Sequence, residues 1–474
     1  MSKTHTGGIV QTLTDQLAQY SSKTRYEDLG KETCHEVKRR ILDTLGCVYG
    51  AFAERPPTLA RAIAPTLKRG GATVWGTKLK TSIDMATFAN GTMIRFLDYN
   101  DTYLSKEPCH PSDNLSAILA AAEISNSSGK ELLTALAVAY EVICRLCDAA
   151  SLRKRGWDHV TYGAISSALG TAKIMRLSPQ QTAHAVALGA TPNNALRQTR
   201  VGELSMWKGS AFANAARNGA FAAALAKAGF TGPSEVFEGQ HGFWKQVSGD
   251  FSLTPLRAGR AAKIFDTHVK HFPAEYHAQS GIEAALSLRS SVKKTEDISE
   301  IRVETFDAAV EIIGGEKEKW RPKTRETADH SLPYCIAAAL VDGTVGLEQF
   351  TARKIRAPRT QRLMQKVKVL RSAWHNKMYP RNLPTTLTIK TKQGETLRCT
   401  VENPRGHARN PMSDNEIIQK FKEQAETHLP SRKVQKICDY VWRLEKNASI
   451  RDFFELLSID KARLARDRKG LASL

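Results

Sequence analysis

Arg95-Phe96-Leu97-Asp98-Tyr99-Asn100-Asp101-Thr102-Tyr103, closing on Cys109-His110-Pro111-Ser112-Asp113-Asn114, is a polar stretch set in apolar helical sequence, and the run Leu115-Ser-Ala-Ile-Leu-Ala-Ala-Ala follows it at once. It gathers carboxylates, amides, hydroxyls, aromatic rings and an imidazole. A polar loop held between helices is where catalytic side chains tend to sit, because the scaffold fixes them while the loop exposes them. His110 precedes a proline, which drives its backbone towards an extended conformation and limits where the imidazole points. Ser112, Asp113 and Asn114 offer N-cap chemistry to the helix that follows, whose free N–H groups favour an anion. Capping accounts for those three. A cap needs neither Asp98 nor His110, so both are candidates for chemistry.

Helical sequence flanks this loop on both sides. Over 26–52, Val37, Ile41, Leu45 and Val48 recur at three- and four-residue steps between charged positions. Pro56-Pro57 is a break, and the glycines of Arg69-Gly70-Gly71 lack dinucleotide-fingerprint spacing and read as a turn. Beyond the loop, Asn126-Ser-Ser-Gly129 separates two Ala-rich helices, and His159 stands where a further helix opens. Ser178-Pro179-Gln180-Gln181 is a helix start with a cap, a proline at the first helical position and a glutamine three after the cap. A basic loop over 193–201 carries Arg197 and Arg200 and leads through Trp207-Lys208-Gly209 into a helix predicted over 210–228. Lys208 sits at the positive end of that helix's dipole, where a lysine is disfavoured, so an anionic ligand explains it better than helix stability does.

Around Asp266 the texture changes. Lys270-His271-Phe-Pro273-Ala-Glu275-Tyr-His277 concentrates imidazoles, a lysine and a carboxylate. Strand-like segments then appear over 298–306, 363–370, 385–389 and 395–401, the last two flanking a Gly-containing hairpin. Between them, Asp329-His330-Ser331 is a second polar knot, and Ser413-Asp-Asn-Glu416 is a capping box that returns the chain to helix. A chain of 474 residues is too long for one compact core. The expectation is a mainly α protein: a large all-helical domain formed by both chain ends, 1–265 and 406–474, with a smaller α+β lid domain over 266–405.

The net charge of +21 raises nucleic-acid binding. Yet Lys and Arg are spread along the chain, and no zinc finger, RNP motif or basic zipper is present; a solvated basic surface that steers anionic small substrates is the simpler account. Apolar runs such as 117–124 and 221–228 fall far short of the ~20 residues that cross a bilayer. The opening residues lack a charged start followed by an apolar core, so secretion is not expected. Cys144 and Cys147 lie one helical step apart in an apolar run, with no second pair at metal-site spacing, so buried thiols in a reducing compartment are expected.

Phe96-Leu-Asp-Tyr-Asn-Asp-Thr-Tyr-Leu104, His110-Pro-Ser-Asp-Asn114, Trp207-Lys208, Lys270 through Gln279, Asp329-His330 and Pro404-Arg-Gly-His-Ala-Arg409 together resemble the MmgE/PrpD family. The resemblance runs in order from about residue 30 to the C-terminus. It implies a hydro-lyase acting on a small-molecule tricarboxylate, 2-methylcitrate or citrate, with cis-aconitate decarboxylation or dicarboxylate epimerisation as alternatives on the same scaffold. It also implies a homodimer with no metal or organic cofactor, and a cytoplasmic location, the mitochondrial matrix being kept open. By position, the implied catalytic residues are Asp98, His110, His159, Lys208 and Lys270, with Asn100, Arg200, Glu275, His277 and His330 as substrate-binding candidates. Decarboxylases tend to carry His at the position of Glu275 and Asp at that of Asn100, so both departures favour dehydration. Replacing Lys208 or His110 by alanine is expected to abolish turnover and leave the fold intact.

Overall fold

In the computed structural model, which describes residues 11–460, the helix expected over 26–52 forms as Gly30–Ala51 after a single tight turn, Tyr26–Asp28. Val37, Ile41, Leu45 and Val48 are buried on one face and share an apolar cluster with Ile417, Phe421 and Ala425 of the helix Asp414–Ala425. Each such side chain contributes about 1.5–3 kcal/mol on leaving water, so this seam ties the two ends of the chain into one helical body. Ser413 caps the later helix as expected, its hydroxyl accepting from the Glu416 backbone while the Glu416 carboxylate reaches back.

The helices Ile83–Arg95, Val160–Ile174 and Ala211–Lys227 cross very closely. A Cβ at Gly219 would stand 2.7 Å from both Ala164 O and Ala168 N, and one at Gly91 would stand 2.8 Å from Ala213 Cβ. Only glycine fits these crossings. They bring the C-terminus of one helix, bearing Arg95, to the N-terminal approach of another, bearing Lys208.

The predicted turn near Gly70 becomes a small ribbon, β1 (Ala72–Thr73) against β2 (Lys80–Thr81). The α+β part holds the larger sheet: β3 (Ile298–Thr305), β4 (Val367–Arg371), β5 (Thr385–Thr391) and β6 (Thr396–Val401) in the order β4-β3-β5-β6. β3 runs parallel to β4 and antiparallel to β5, with Val303 opposite both Val369 and Leu387. Ile301, Val303, Leu387 and Ile389 pack with Ile282 of the helix Gln279–Arg289 and Ile336 of the helix Leu332–Asp342, a core separate from that of the helical body. The strand expected over 363–370 begins late because Pro358 opens a helix, Pro358–Met364, that takes its first residues.

One local expectation is corrected. Ser112, Asp113 and Asn114 do not cap: Pro111–Asn114 is a tight helical turn running straight into Leu115–Ile124, and Asn114 already has helical φ −62 and ψ −22. Their side chains brace the loop instead. Asn114 accepts from Ser166 Oγ at 2.8 Å and Ser167 Oγ at 2.7 Å, while Asn100 Nδ2 donates to Ser112 Oγ at 2.9 Å and Asp113 Oδ1 at 2.8 Å. Cys144 and Cys147 are free, buried thiols, in line with the sequence. Among the described residues no helix is long and apolar enough to cross a membrane.

Candidate active site

Asp98 follows the helix Ile83–Arg95 with φ 51, in the left-handed region that costs a non-glycine residue about 1–3 kcal/mol. That turn aims its carboxylate into a nest of cations. Arg95 Nη1 lies 2.8 Å away, Lys208 Nζ 2.9 Å and His330 Nε2 3.4 Å, and Lys270 Nζ contacts Oδ1 while donating to the Asp98 carbonyl at 2.8 Å. Burial alone would raise the carboxyl's pKa, but Arg95, Lys208 and Lys270 overcome it and hold Asp98 well below the usual carboxylate range. Asp98 is therefore an anchor for cations and a poor proton acceptor.

Lys208 is buried in the turn Met206–Gly209, ahead of the helix Ala211–Lys227. The anion that the sequence called for at this position is supplied within the protein by Asp98 and, at 3.3 Å, by Asp329 Oδ1. Asp329 Oδ1 also accepts from His330 Nδ1 at 2.6 Å. Asp98, Asp329 and His330 offer ligand atoms within 4.8 Å of one another, the one grouping of metal-ligand type among the described residues. Both Asp98 oxygens and Asp329 Oδ1 are already engaged by Arg95, Lys208 and Lys270, whereas Asp329 Oδ2 is buried without a hydrogen-bond partner.

His110 is pinned at both nitrogens. Nδ1 donates to the Asp101 carbonyl at 2.7 Å, which leaves Nε2 to accept from Arg95 Nη2 at 2.8 Å. Burial first, then the charges of Arg95 and Lys270, draw its pKa well down, so the ring is neutral with its lone pair taken.

His159 is arranged differently. Its Nδ1 pairs with Asp158 Oδ1 at 2.8 Å, while the other Asp158 oxygen accepts from Arg200 Nε at 2.8 Å. The contact is an ion pair not aligned as a hydrogen bond, and a carboxylate so close draws the proton to Nδ1 and favours Nε2 as the lone-pair nitrogen. That Nε2 is buried with no hydrogen-bond partner, and the His159 ring lies 5.6 Å edge-on from that of His110. Burial lowers the His159 pKa, and Asp158 opposes the shift.

Glu275 closes another side. Its Oε1 pairs with His277 Nδ1 at 2.7 Å, and His277 Nε2 meets the Tyr379 hydroxyl at 3.2 Å. Burial works against the charged carboxylate, yet His277 and its neighbours pull Glu275 down to about 2.

All the residues singled out in the sequence except Lys208 and Asn100 face one cavity of about 400 Å³, walled by the helical body on one side and the α+β part on the other. Lys208 meets the cavity wall from behind, through Asp98 and His330, and Asn100 stands behind the wall as a loop brace. The sequence reading gave no site role to Arg95, Asp158 or Asp329, which orient the residues it did single out. A signal for two of them was present: Asp-His occurs at 158–159 and again at 329–330, and in both pairs the aspartate holds its neighbour's Nδ1.

Residues 15–256 match the MmgE/PrpD N-terminal domain, and residues 272–446 match the MmgE/PrpD C-terminal domain. The chain is 29% identical over 450 residues to the 2-methylcitrate dehydratase of Escherichia coli strain K12, covering 88% of this chain and 90% of the relative. It is 28% identical over 462 residues to the mitochondrial 2-methylcitrate dehydratase of Yarrowia lipolytica, covering 92% and 87%. To the cis-aconitate decarboxylase-like protein oryM of Aspergillus oryzae it is 27% identical over 475 residues, covering 94% and 97%. With both family domains matched in order over most of its length, the chain belongs to the MmgE/PrpD family.

Proposed function

We propose that this chain is a hydro-lyase that dehydrates 2-methylcitrate, with citrate as its second substrate, to the cis-unsaturated tricarboxylate by general acid/base elimination. The dehydratases among its relatives support the reaction class. The observation that carries the mechanism is the unpartnered Nε2 of His159, held by Asp158 at the edge of a cation-lined cavity. In this reading His159 Nε2 takes the proton from the carbon beside a carboxylate, and the electron pair forms the new double bond as hydroxide departs from the adjacent carbon. Negative charge builds on an already anionic group, so Lys270 and Arg200, which both line the cavity, would offset it where it develops. Lys270 is also the proton donor for the leaving hydroxyl: burial lowers its pKa, which makes the ammonium a readier acid. Asp98 positions Lys270 and, with His110, Arg95, while Asp158 holds Arg200; His110 and Asp98 make no proton transfer themselves.

Decarboxylation is the second reading, favoured by the relative named as decarboxylase-like. Against it, Glu275 is an ionised carboxylate engaged by His277 and offers no acid at that wall. Incubating chelator-treated protein separately with 2-methylcitrate, citrate and cis-aconitate, and following products by ultraviolet absorbance and NMR, decides between them. The expected result is an unsaturated tricarboxylate from 2-methylcitrate; itaconate and carbon dioxide from cis-aconitate would replace this reading with the other.

The division at 265/266 and 405/406 belongs to the same proposal. Lys270, Glu275, His277 and His330 come from the central unit, His110, His159 and Arg200 from the helical body, so closing one on the other would expel water from the charged cavity. Residues 266–405 are expected to become more resistant to limited proteolysis when 2-methylcitrate is bound; cleavage rates unchanged by substrate would argue for a rigid cavity. A homodimer and a cytoplasmic or mitochondrial-matrix location complete the reading, the matrix being supported by the relative named as mitochondrial.

A further inference from the structure

The cations around the cavity fall into two sets. Arg95, Lys208 and Lys270 share the carboxylates of Asp98 and Asp329, three positive charges on two negative ones in direct contact. Arg153 and Arg197 also line the cavity, but no carboxylate among the described residues touches either guanidinium: Glu107 acts on both, and Asp158 on Arg197, only from beyond ion-pair distance. Both are half-buried, and a partly desolvated guanidinium with no carboxylate in contact leaves its N–H donors for an arriving anion.

The backbone is built to hold this pair. Trp157 bridges to Leu196 in antiparallel fashion, Arg197 N donates to Gly156 O at 2.9 Å, and Asp158 N donates to Ala195 O at 2.8 Å. These bonds lock the turn Arg153–Arg155 against the turn Arg197–Arg200. The Arg153 end is fixed again by buried Glu107, whose Oε2 accepts from Arg153 N at 3.0 Å and Ser151 Oγ at 3.0 Å. The same ladder places Asp158, and so His159 and Arg200, on this wall. Arg200 adds a second indication of a ligand, since its Nη2 is buried without a hydrogen-bond partner.

We propose that Arg153 and Arg197 form a carboxylate subsite that takes the substrate carboxylate not attached to either reacting carbon, and so selects tricarboxylates over hydroxy-dicarboxylates. This deepens the dehydratase reading and rests on it for the substrate, whereas the anion subsite is testable without turnover. Two half-buried guanidiniums with fixed backbones suit a carboxylate, because their planar forks match its two oxygens. A solvated basic surface would show none of this bracing.

The test combines binding and kinetics on Arg153→Gln, Arg197→Gln and the double variant of the full chain. By calorimetry, the wild-type protein is expected to bind tricarballylate, an unreactive tricarboxylate, at least ~10-fold more tightly than glutarate, and the double variant to lose that preference. In turnover, the KM for 2-methylcitrate is expected to rise ~10- to 100-fold in the double variant with kcat changed less than about threefold, the mark of lost uniform binding. Arg197→Lys, which keeps the charge and loses the fork, should recover part of the affinity. Equal affinity of the wild type for tricarballylate and glutarate, or an unchanged KM in the double variant, would overturn the subsite while leaving the dehydratase reading in place. A wild type that binds tricarballylate selectively through these arginines but dehydrates neither substrate would overturn that reading and leave the subsite standing.

Discussion

His159→Ala is expected to lower kcat by ~10²–10⁴-fold, the usual worth of a positioned general base, with little change in stability. The imidazole makes one strong contact, to Asp158, and Arg200 still satisfies that carboxylate after truncation. The pH profile gives the prediction its edge. Burial lowers the His159 pKa, so the neutral, active base persists below the ordinary imidazole value of about 6.5. The acid limb of kcat/KM, which reports the free enzyme, should therefore fall below that value. Asp158 works against the burial shift, so removing its charge removes the opposing force. In Asp158→Asn the acid limb is expected to move further to acid, while kcat falls ~10²-fold because the ring loses its orienting partner and KM rises because Arg200 loses its own. His159→Ala activity within threefold of wild type, or a limb moving towards alkaline pH in Asp158→Asn, would remove His159 from the role of base.

Much of this site was legible without coordinates, because local chemistry left marks in the chain. The left-handed turn at Asp98 sits in a loop whose polar residues broke an apolar pattern, and Ser413 stood where its capping-box signal placed it. What the sequence could not show was pairing at a distance. Lys208 reads as a lysine awaiting an external anion, yet its partners are Asp98 and Asp329, brought to it by helix crossings that depend on glycine. His110 and His159 read alike as histidines near helix starts. Their difference, one lone pair taken by Arg95 and the other free, is set by contacts that span the fold. Ser112 and Asn114 misled for a related reason: cap chemistry was present, but a tight turn running into the helix removed the need for a cap and left their side chains to brace the loop.

The sequence expectation that Lys208→Ala would spare the fold is reversed by the geometry. Lys208 is fully buried, and its ammonium lies 2.9 Å from Asp98 and 3.3 Å from Asp329. Removing one partner of a buried pair strands the other charge, which costs about 3–5 kcal/mol. Asp98 would keep Arg95 and Lys270 in contact, whereas Asp329 would keep His330 in contact and Arg95 and Lys319 only at longer range, so the stranded charge is chiefly that of Asp329. Lys208→Met, which keeps length and volume, is therefore expected to lower the urea midpoint clearly and to abolish turnover. Lys208→Met combined with Asp329→Asn removes both charges and should recover a large part of that stability while activity stays lost. Such recovery in the double-mutant cycle would separate the structural cost from the catalytic one. A single variant with the wild-type midpoint would mean that water or a rearranged side chain satisfies Asp329. The buried ion network would then position the cavity's cations without holding the fold together.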